Sequence, residues 1–266
     1  MKGKYPVLIS IPHGGVEIPS EVKDDININY RNISDDGDAF TNDIYNLHSE
    51  VEMVVDTTVA RAVVDLNRSP EDLPPENPDG VIKTETVQGI PIYKEGRTLN
   101  EKVRNILLKK YYFPYHEKLE IHSSKPSIEL AVDCHSMAAF GPVSARDAGE
   151  KRPLICISNR GNEAGAAFEG ERVTSSQDLI NELRQGLAVA FSNEDLEVVI
   201  KLNKPFGGGY IVQKHSKNGL PWLQLEINRS LYLSSKWFDK NTLVVNPARI
   251  MYLRKKILKG IKYLFD

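Results

Sequence analysis

With 266 residues, 41% hydrophobic and 26% charged, the chain can bury a full core and has the composition of a soluble globular protein. A formal net charge of −2 excludes a general attraction to nucleic acid or to an anionic membrane. No apolar run approaches the roughly 18 residues of a membrane span.

The start, Met1-Lys2-Gly3-Lys4-Tyr5-Pro6, leads into a strand-like run and not a signal peptide, so the cytoplasm is the expected location. Residues 7–11 read as a buried strand that ends at Pro12-His13-Gly14-Gly15. The acidic Asp35-Asp36-Gly37-Asp38 opens a helix predicted over 38–50, with Phe40, Ile44 and Leu47 on its apolar face. Residues 53–56 and 62–66 read as further strands, the second leaving through Asn67-Arg68. The segment 69–97, rich in Pro, Gly and Asn, carries two β-like pieces at 80–84 and 90–93, and reads as a hairpin forming a lid or specificity loop. A long amphipathic helix is expected over 99–122, kinked or split at Pro114.

Residues 128–133 form the next strand, ending just before His135, and an irregular stretch covers 136–152. Strands at 154–157 and 198–202 flank a helix at 177–191. Short strands at 210–213 and 222–227 and a basic helix at 248–265 complete the chain. Several strands are continuously apolar, as strands covered on both faces are. One three-layer α/β/α domain over 1–266 with a mixed central sheet fits this order. Cys134 and Cys156 lie in strand-like runs and are expected to be buried thiols.

Two histidines at strand ends, His13 and His135, can meet on the edge where open α/β sheets place ligands. A hydrolytic zinc site uses about three protein ligands and leaves one position open. Asp38 is the favoured carboxylate, with Glu17 the alternative third ligand, and Asp133 is placed to orient His135. Arg61, Asn67 and Arg68 suit recognition of an anion, because guanidinium and amide donors fit a carboxylate. Glu226, in Gln224-Leu225-Glu226, is a carboxylate in a mostly apolar strand, where burial raises its pKa toward that of a general base. Gly208 and Gly209 allow a tight turn with backbone close to substrate, and their motif lacks the Lys-Ser/Thr of a phosphate loop. His48, His116 and His122 read as structural, and His215 as a surface residue.

Together Ile11-Pro12-His13-Gly14-Gly15, Asp36-Gly37-Asp38, Arg61 through Asn67-Arg68, Asp133-Cys134-His135-Ser136, Gly208-Gly209 and Gln224-Leu225-Glu226 resemble the N-formylglutamate amidohydrolase family. The family is similar to zinc carboxypeptidases and aspartoacylases. The resemblance implies an α/β/α zinc-exopeptidase-like fold, one zinc ion, and hydrolysis of an amide on an acidic amino acid. It places zinc on His13, His135 and either Asp38 or Glu17, the proton on Glu226, and the substrate carboxylate or oxyanion on Arg61, Asn67 and Arg68. The segment 69–97 departs most from the family. The reading that follows is a zinc-dependent amidohydrolase acting on a small N-acyl acidic amino acid such as N-formylglutamate, with the oligomeric state open. Its rivals are a zinc carboxypeptidase or cell-wall amidase, and a non-catalytic carboxylate-binding protein of the same fold.

Overall fold

The computed structural model describes residues 3–143, 145–194 and 199–266. Six strands form the central sheet: β1 (Tyr5–Ile11), β2 (Val51–Asp56), β3 (Leu130–Met137), β4 (Ile155–Ser158), β5 (Ile200–Leu202) and β6 (Trp222–Asn228). Their spatial order is β2-β1-β3-β6-β4-β5. β2, β1, β3 and β6 run parallel, while β4 is antiparallel to β6 and carries β5 parallel to itself, so the sheet is mixed. The run expected to begin at 198 is described only from residue 199, because Val198 lies outside the described residues.

One face of the sheet packs Ile9, Val132, Leu225 and Ile157 against α5 (Gln177–Phe191) and α8 (Pro247–Lys262). The other face packs Leu8, Ala131 and Trp222 against the 60–66 turn, the 81–93 segment and α4 (Phe113–Ser123). These layers give the expected α/β/α architecture, and among the described residues no helix is long and apolar enough to cross a membrane. Both cysteines are free and buried.

Register decides what the second face carries. Leu8, Ala131 and Trp222 align across β1, β3 and β6; two residues on, Ser10, Asp133, Gln224 and Ser158 align; two further on, His135, Glu226 and Cys156 align. Side chains alternate along a strand, so these rows share one face, apolar at one end and polar at the C-terminal edge of β1, β3 and β6.

Several local expectations require correction. The 38–50 helix is replaced by α1 (Tyr30–Asp36) and a single turn, α2 (Thr41–Ile44). Between them Phe40 takes a left-handed φ of 64°, and the Asp38 N–H donates to the His13 carbonyl at 2.9 Å. Asp38 thus lies between helices instead of opening one. Residues 62–66 form turns with one isolated bridge, Val64 to Ile82. Their apolar run reflects burial on all sides, which periodicity alone does not separate from strand pairing. The run at 210–213 is helical, in α6 (Tyr210–His215), for the same reason. The long helix is continuous from α3 (Glu101–Leu107) through a π turn (Leu108–Tyr112) into α4. The wider turn accommodates Pro114, which has no N–H and crowds the preceding turn.

His215 is buried, not a surface residue. The His116 Nε2–H donates to the Leu66 carbonyl at 3.0 Å, so His116 Nδ1 accepts from His215 Nε2–H at 2.9 Å. This bond ties α4 to α6 beneath the Asn67 turn. Burial and the Lys214 ammonium push His116 down to about 3 and His215 down to about 4. The unfolded chain therefore takes up these protons first: the stability is fully present above pH 6.5 and is lost as pH falls toward 4 and then 3. Each group can contribute about 1.4 kcal/mol per pH unit inside that window. Urea unfolding at pH 7 and pH 5 should show a steeper loss for the native chain than for His116→Gln/His215→Gln. Equal losses would remove this pair as a source of acid sensitivity.

Candidate metal-binding site

His13 leaves β1, His135 sits two residues before the end of β3, and Asp38 occupies the irregular link after α1. The three side chains are buried, and each offers a ligand atom within 4.8 Å of the others. Their rings meet edge to face, with centroids 4.8 Å apart. Glu17 is exposed and lies outside this group, because its backbone runs beside Val59 as an extended bridge.

Each histidine is gripped from behind. His13 Nε2 lies 2.8 Å from Asp65 Oδ1, and His135 Nε2 lies 2.8 Å from Asp133 Oδ2. With those nitrogens donating, both Nδ1 lone pairs turn toward Asp38 Oδ2, at 3.5 and 3.0 Å. Three lone pairs converging in a buried place repel unless a positive group lies among them. Burial alone would lower the His135 pKa, but Asp133 and Asp38 raise it well above the usual histidine value. Burial would likewise raise Asp38, yet His13 and His135 hold it well below the usual carboxylate range. Without a metal, a proton on His135 serves as that positive group; with both imidazoles neutral, Asp38 keeps Arg229 and Asp65 keeps Arg61 and Arg68 as partner cations. A divalent metal ion on two imidazoles and one carboxylate satisfies both the lone pairs and the charge.

The supporting contacts are specific. Arg61 donates from Nε to Asp65 Oδ2 at 2.9 Å and from Nη1 to the Asp36 carbonyl at 2.8 Å. Burial would raise the Asp65 pKa, but Arg61 and His13 hold it well below normal. Arg229 donates to Asp38 Oδ1 at 3.0 Å, to Ser136 Oγ at 3.1 Å and to the Gly37 carbonyl. Ser10 Oγ donates to Asp133 Oδ1 at 2.7 Å, and Tyr45 donates to the His135 carbonyl at 2.8 Å.

Glu226 stands beside His135 in register. Burial pushes its carboxyl up to about 7, with His135 opposing and Asp38 adding to the rise. Gln224 Nε2 donates to Glu226 Oε1 at 2.9 Å, while Gln224 Oε1 accepts from the Gly209 N–H at 2.7 Å. Asn67 Oδ1 accepts from the Ile211 N–H at 2.8 Å, which leaves its NH₂ 3.3 Å from His135 Nε2. Gly208 has a φ of 114°, and a Cβ on Gly209 would collide with the Asn67 amide. Arg68 is half-exposed and donates from Nη2 to Asp79 Oδ2 at 2.7 Å. A cavity of about 600 Å³ is lined by the three candidate ligands, Glu226, Asn67, Arg68, Gly208 and Gly209.

Arg229, Asp65 as the partner of His13, and Gln224 as the link from Gly209 to Glu226 are not legible from residue pattern alone. Asp65 stands two residues before Asn67 much as Asp133 stands two before His135, and Arg229 leaves β6 at the same edge as the histidines. Those placements were the available signals.

Residues 5–233 match the N-formylglutamate amidohydrolase family. The chain belongs to the N-formylglutamate amidohydrolase family. It is 28% identical over 148 residues to N-formylglutamate deformylase from Pseudomonas putida, covering 53% of this chain and 55% of the relative. It is 27% identical over the same length to N-formylglutamate deformylase of Pseudomonas aeruginosa. The chain thus spans about half the length of these curated relatives. Its fold is similar to the crystal structure of an N-formylglutamate amidohydrolase from Ralstonia eutropha JMP134, with a TM-score of 0.75, 18% identity, and coverage of 99% of this chain and 95% of that one. An Agrobacterium tumefaciens gene product gives 0.65 at 17% identity, covering 99% and 93% of the two chains.

Titration with a divalent transition metal against a chromophoric chelator should give one site per chain. Asp65→Asn should weaken it about 10- to 100-fold, as loss of a histidine's orienting carboxylate does. Unchanged affinity in that variant would mean that Asp65 does not set the His13 ring.

Proposed function

We propose that this family member is a zinc-dependent amidohydrolase that releases formate from N-formylglutamate or a close N-acyl acidic amino acid. The observation that carries the reading is the convergence of His13 Nδ1, His135 Nδ1 and Asp38 Oδ2 beside a buried carboxyl, Glu226, whose pKa is pushed up to about 7. Two imidazoles and one carboxylate form a donor set that suits zinc and leaves room for further ligands. When bound there, zinc supplies Lewis acidity to a water molecule and to the acyl carbonyl.

The chain's own residues supply the remaining roles. Glu226 takes the proton from the attacking water and returns it to the departing amine nitrogen, a task suited to a group that titrates near neutrality. Gln224 holds Glu226 by one oxygen, and Glu226 lines the cavity. The Asn67 NH₂ and the uncommitted edge of Arg68 take the carboxylate next to the scissile amide. Arg61 has its donors on Asp65 and Asp36, so its part is to keep Asp65 ionised and His13 oriented. The Gly207-Gly208-Gly209 turn brings backbone to the cavity wall without side chains to fill it.

Metal analysis of the purified protein should give one zinc per chain, and N-formyl-L-glutamate should yield formate. Glu226→Gln should retain the metal while kcat falls at least about 100-fold, the usual contribution of a general acid–base. Near-native turnover in that variant would assign the proton transfer elsewhere. Hydrolysis of peptides in place of N-formyl amino acids would favour a carboxypeptidase or amidase activity.

A further inference from the structure

The arginines around the cavity are unequally committed. Arg61 and Arg229 spend their donors on Asp65, Asp38, Ser136 and backbone carbonyls. Arg68 places Nη2 on Asp79 and pairs through Nε with Asp65 at 3.6 Å. Arg152 lies on the segment between β3 and β4, at the flank of the sheet away from β1 and β2, and also lines the cavity.

Arg152 is only 7% exposed. Its Nε and Nη2 donate to the two oxygens of Asp147 at 2.7 and 2.9 Å, and its guanidinium carbon lies 4.9 Å from the centroid of the Phe206 ring. Among the described residues, Nη1 has no hydrogen-bond partner. One edge is thus fixed by a carboxylate and the flat face by an aromatic ring, and the other edge keeps its donors. A guanidinium held this way loses little rotamer freedom on binding, and its remaining donors suit a carboxylate. Asp147 offsets part of the charge but leaves the directional donors in place.

Position along the sheet edge separates the roles of the two flanks. The Asn67 amide lies 3.3 Å from His135 Nε2, close to the candidate metal ligands. It therefore suits the carboxylate attached to the carbon that bears the scissile amide. The Arg152 backbone pairs with the Ala139 carbonyl, four residues beyond His135, on the far side of the strand exit. A substrate side chain that reaches away from the amide and ends in a second carboxylate would present it to this flank of the cavity.

We infer that Arg152, plated by Phe206 and braced by Asp147, is the specificity-determining residue that receives the side-chain carboxylate of an acidic N-acyl amino acid. The inference rests on the hydrolase reading above for the identity of the ligand. It assigns discrimination between glutamate and glutamine derivatives to one guanidinium on a loop.

The test compares kcat/KM for N-formyl-L-glutamate and N-formyl-L-glutamine, which are nearly isosteric. Arg152→Met, which retains the stem over Phe206, should lower the glutamate-to-glutamine ratio about 10- to 100-fold, the range of a lost charge-assisted bond. Arg152→Gln, which keeps a donor for Asp147, serves as the second variant if the first does not fold. An unchanged ratio, however far absolute rates fall, assigns Arg152 a purely structural role and overturns the proposal. Calorimetric binding of L-glutamate and L-glutamine to the purified protein provides a readout independent of turnover. Should the native protein hydrolyse neither substrate, the hydrolase reading fails. The binding preference then decides this inference: an Arg152-dependent preference for glutamate supports it, and equal binding overturns it.

Discussion

A carboxylate taken out of water needs a positive partner or several donors, and the alternation of Asp65, His13, Asp38, His135 and Asp133 meets that need along one buried line when a proton or a metal ion sits between the rings and Asp38. The order matters more than any single contact. Aspartates at both ends fix which ring nitrogen carries the proton, and so aim the other nitrogen inward at the central aspartate. Each end is then secured from outside the line: Arg61 braces Asp65, and the Ser10 hydroxyl, next to Tyr115, braces Asp133. Interrupting the line at any point exposes a buried charge to an apolar surround, so the line couples β1, β3, the Asp38 link and the 61–65 turn into one unit.

The segment 69–97 is joined to that unit by charge. The Lys83 ammonium is fully buried and donates to Asp36 Oδ1 at 2.9 Å and to Asp79. The Val87 N–H donates to the same Asp36 oxygen at 2.7 Å. Asp79 also receives Arg68, so the residue proposed to hold substrate and the residue closing the Asp36 loop share one carboxylate. Compositional bias toward Pro, Gly and Asn suggests a loose cover, yet these ion pairs seat the segment against the site wall. Replacing Lys83 by an apolar residue would leave the Asp36 carboxylate buried with one oxygen already lacking a partner.

The strands were legible wherever a short apolar run belonged to the sheet, as at β1, β3 and β6, because burial on both faces keeps at least every second residue of the run apolar. The same rule failed at 62–66 and 210–213. There Ala62, Val63, Ile211 and Val212 are as buried as strand residues while their backbone forms turns or a helix. The two histidines were legible as ligand types near strand ends, and Asp38 as a carboxylate in the acidic cluster 35–38. The pairing of Asp65 with His13 was not, since it joins residues 52 apart through tertiary packing. Arg229 was hidden for a similar reason: its partner Asp38 lies 191 residues away. Sequence patterns report periodicity and residue type, whereas these contacts depend on which strands lie side by side.

Donor accounting separates arginines that a sequence presents as equivalent. Arg61 and Arg68 flank one short run, and both read as anion-binding residues. Arg61 is 14% exposed in its side chain and has its bonds on protein acceptors, whereas Arg68 is 36% exposed, donates to Asp79 from Nη2 and pairs with Asp65 at 3.6 Å from Nε. Asp65 must stay ionised to accept from both His13 and the Asn67 N–H, and Arg61 is the cation that opposes its burial. On the proposed mechanism Arg61 therefore acts through Asp65 and then His13, without meeting substrate. Recognition falls instead to side chains with a free edge on the cavity, which are carried by loops. On that mechanism the sheet and its exits hold the groups that must not move during the reaction, and the loops hold those proposed to distinguish one acid from another.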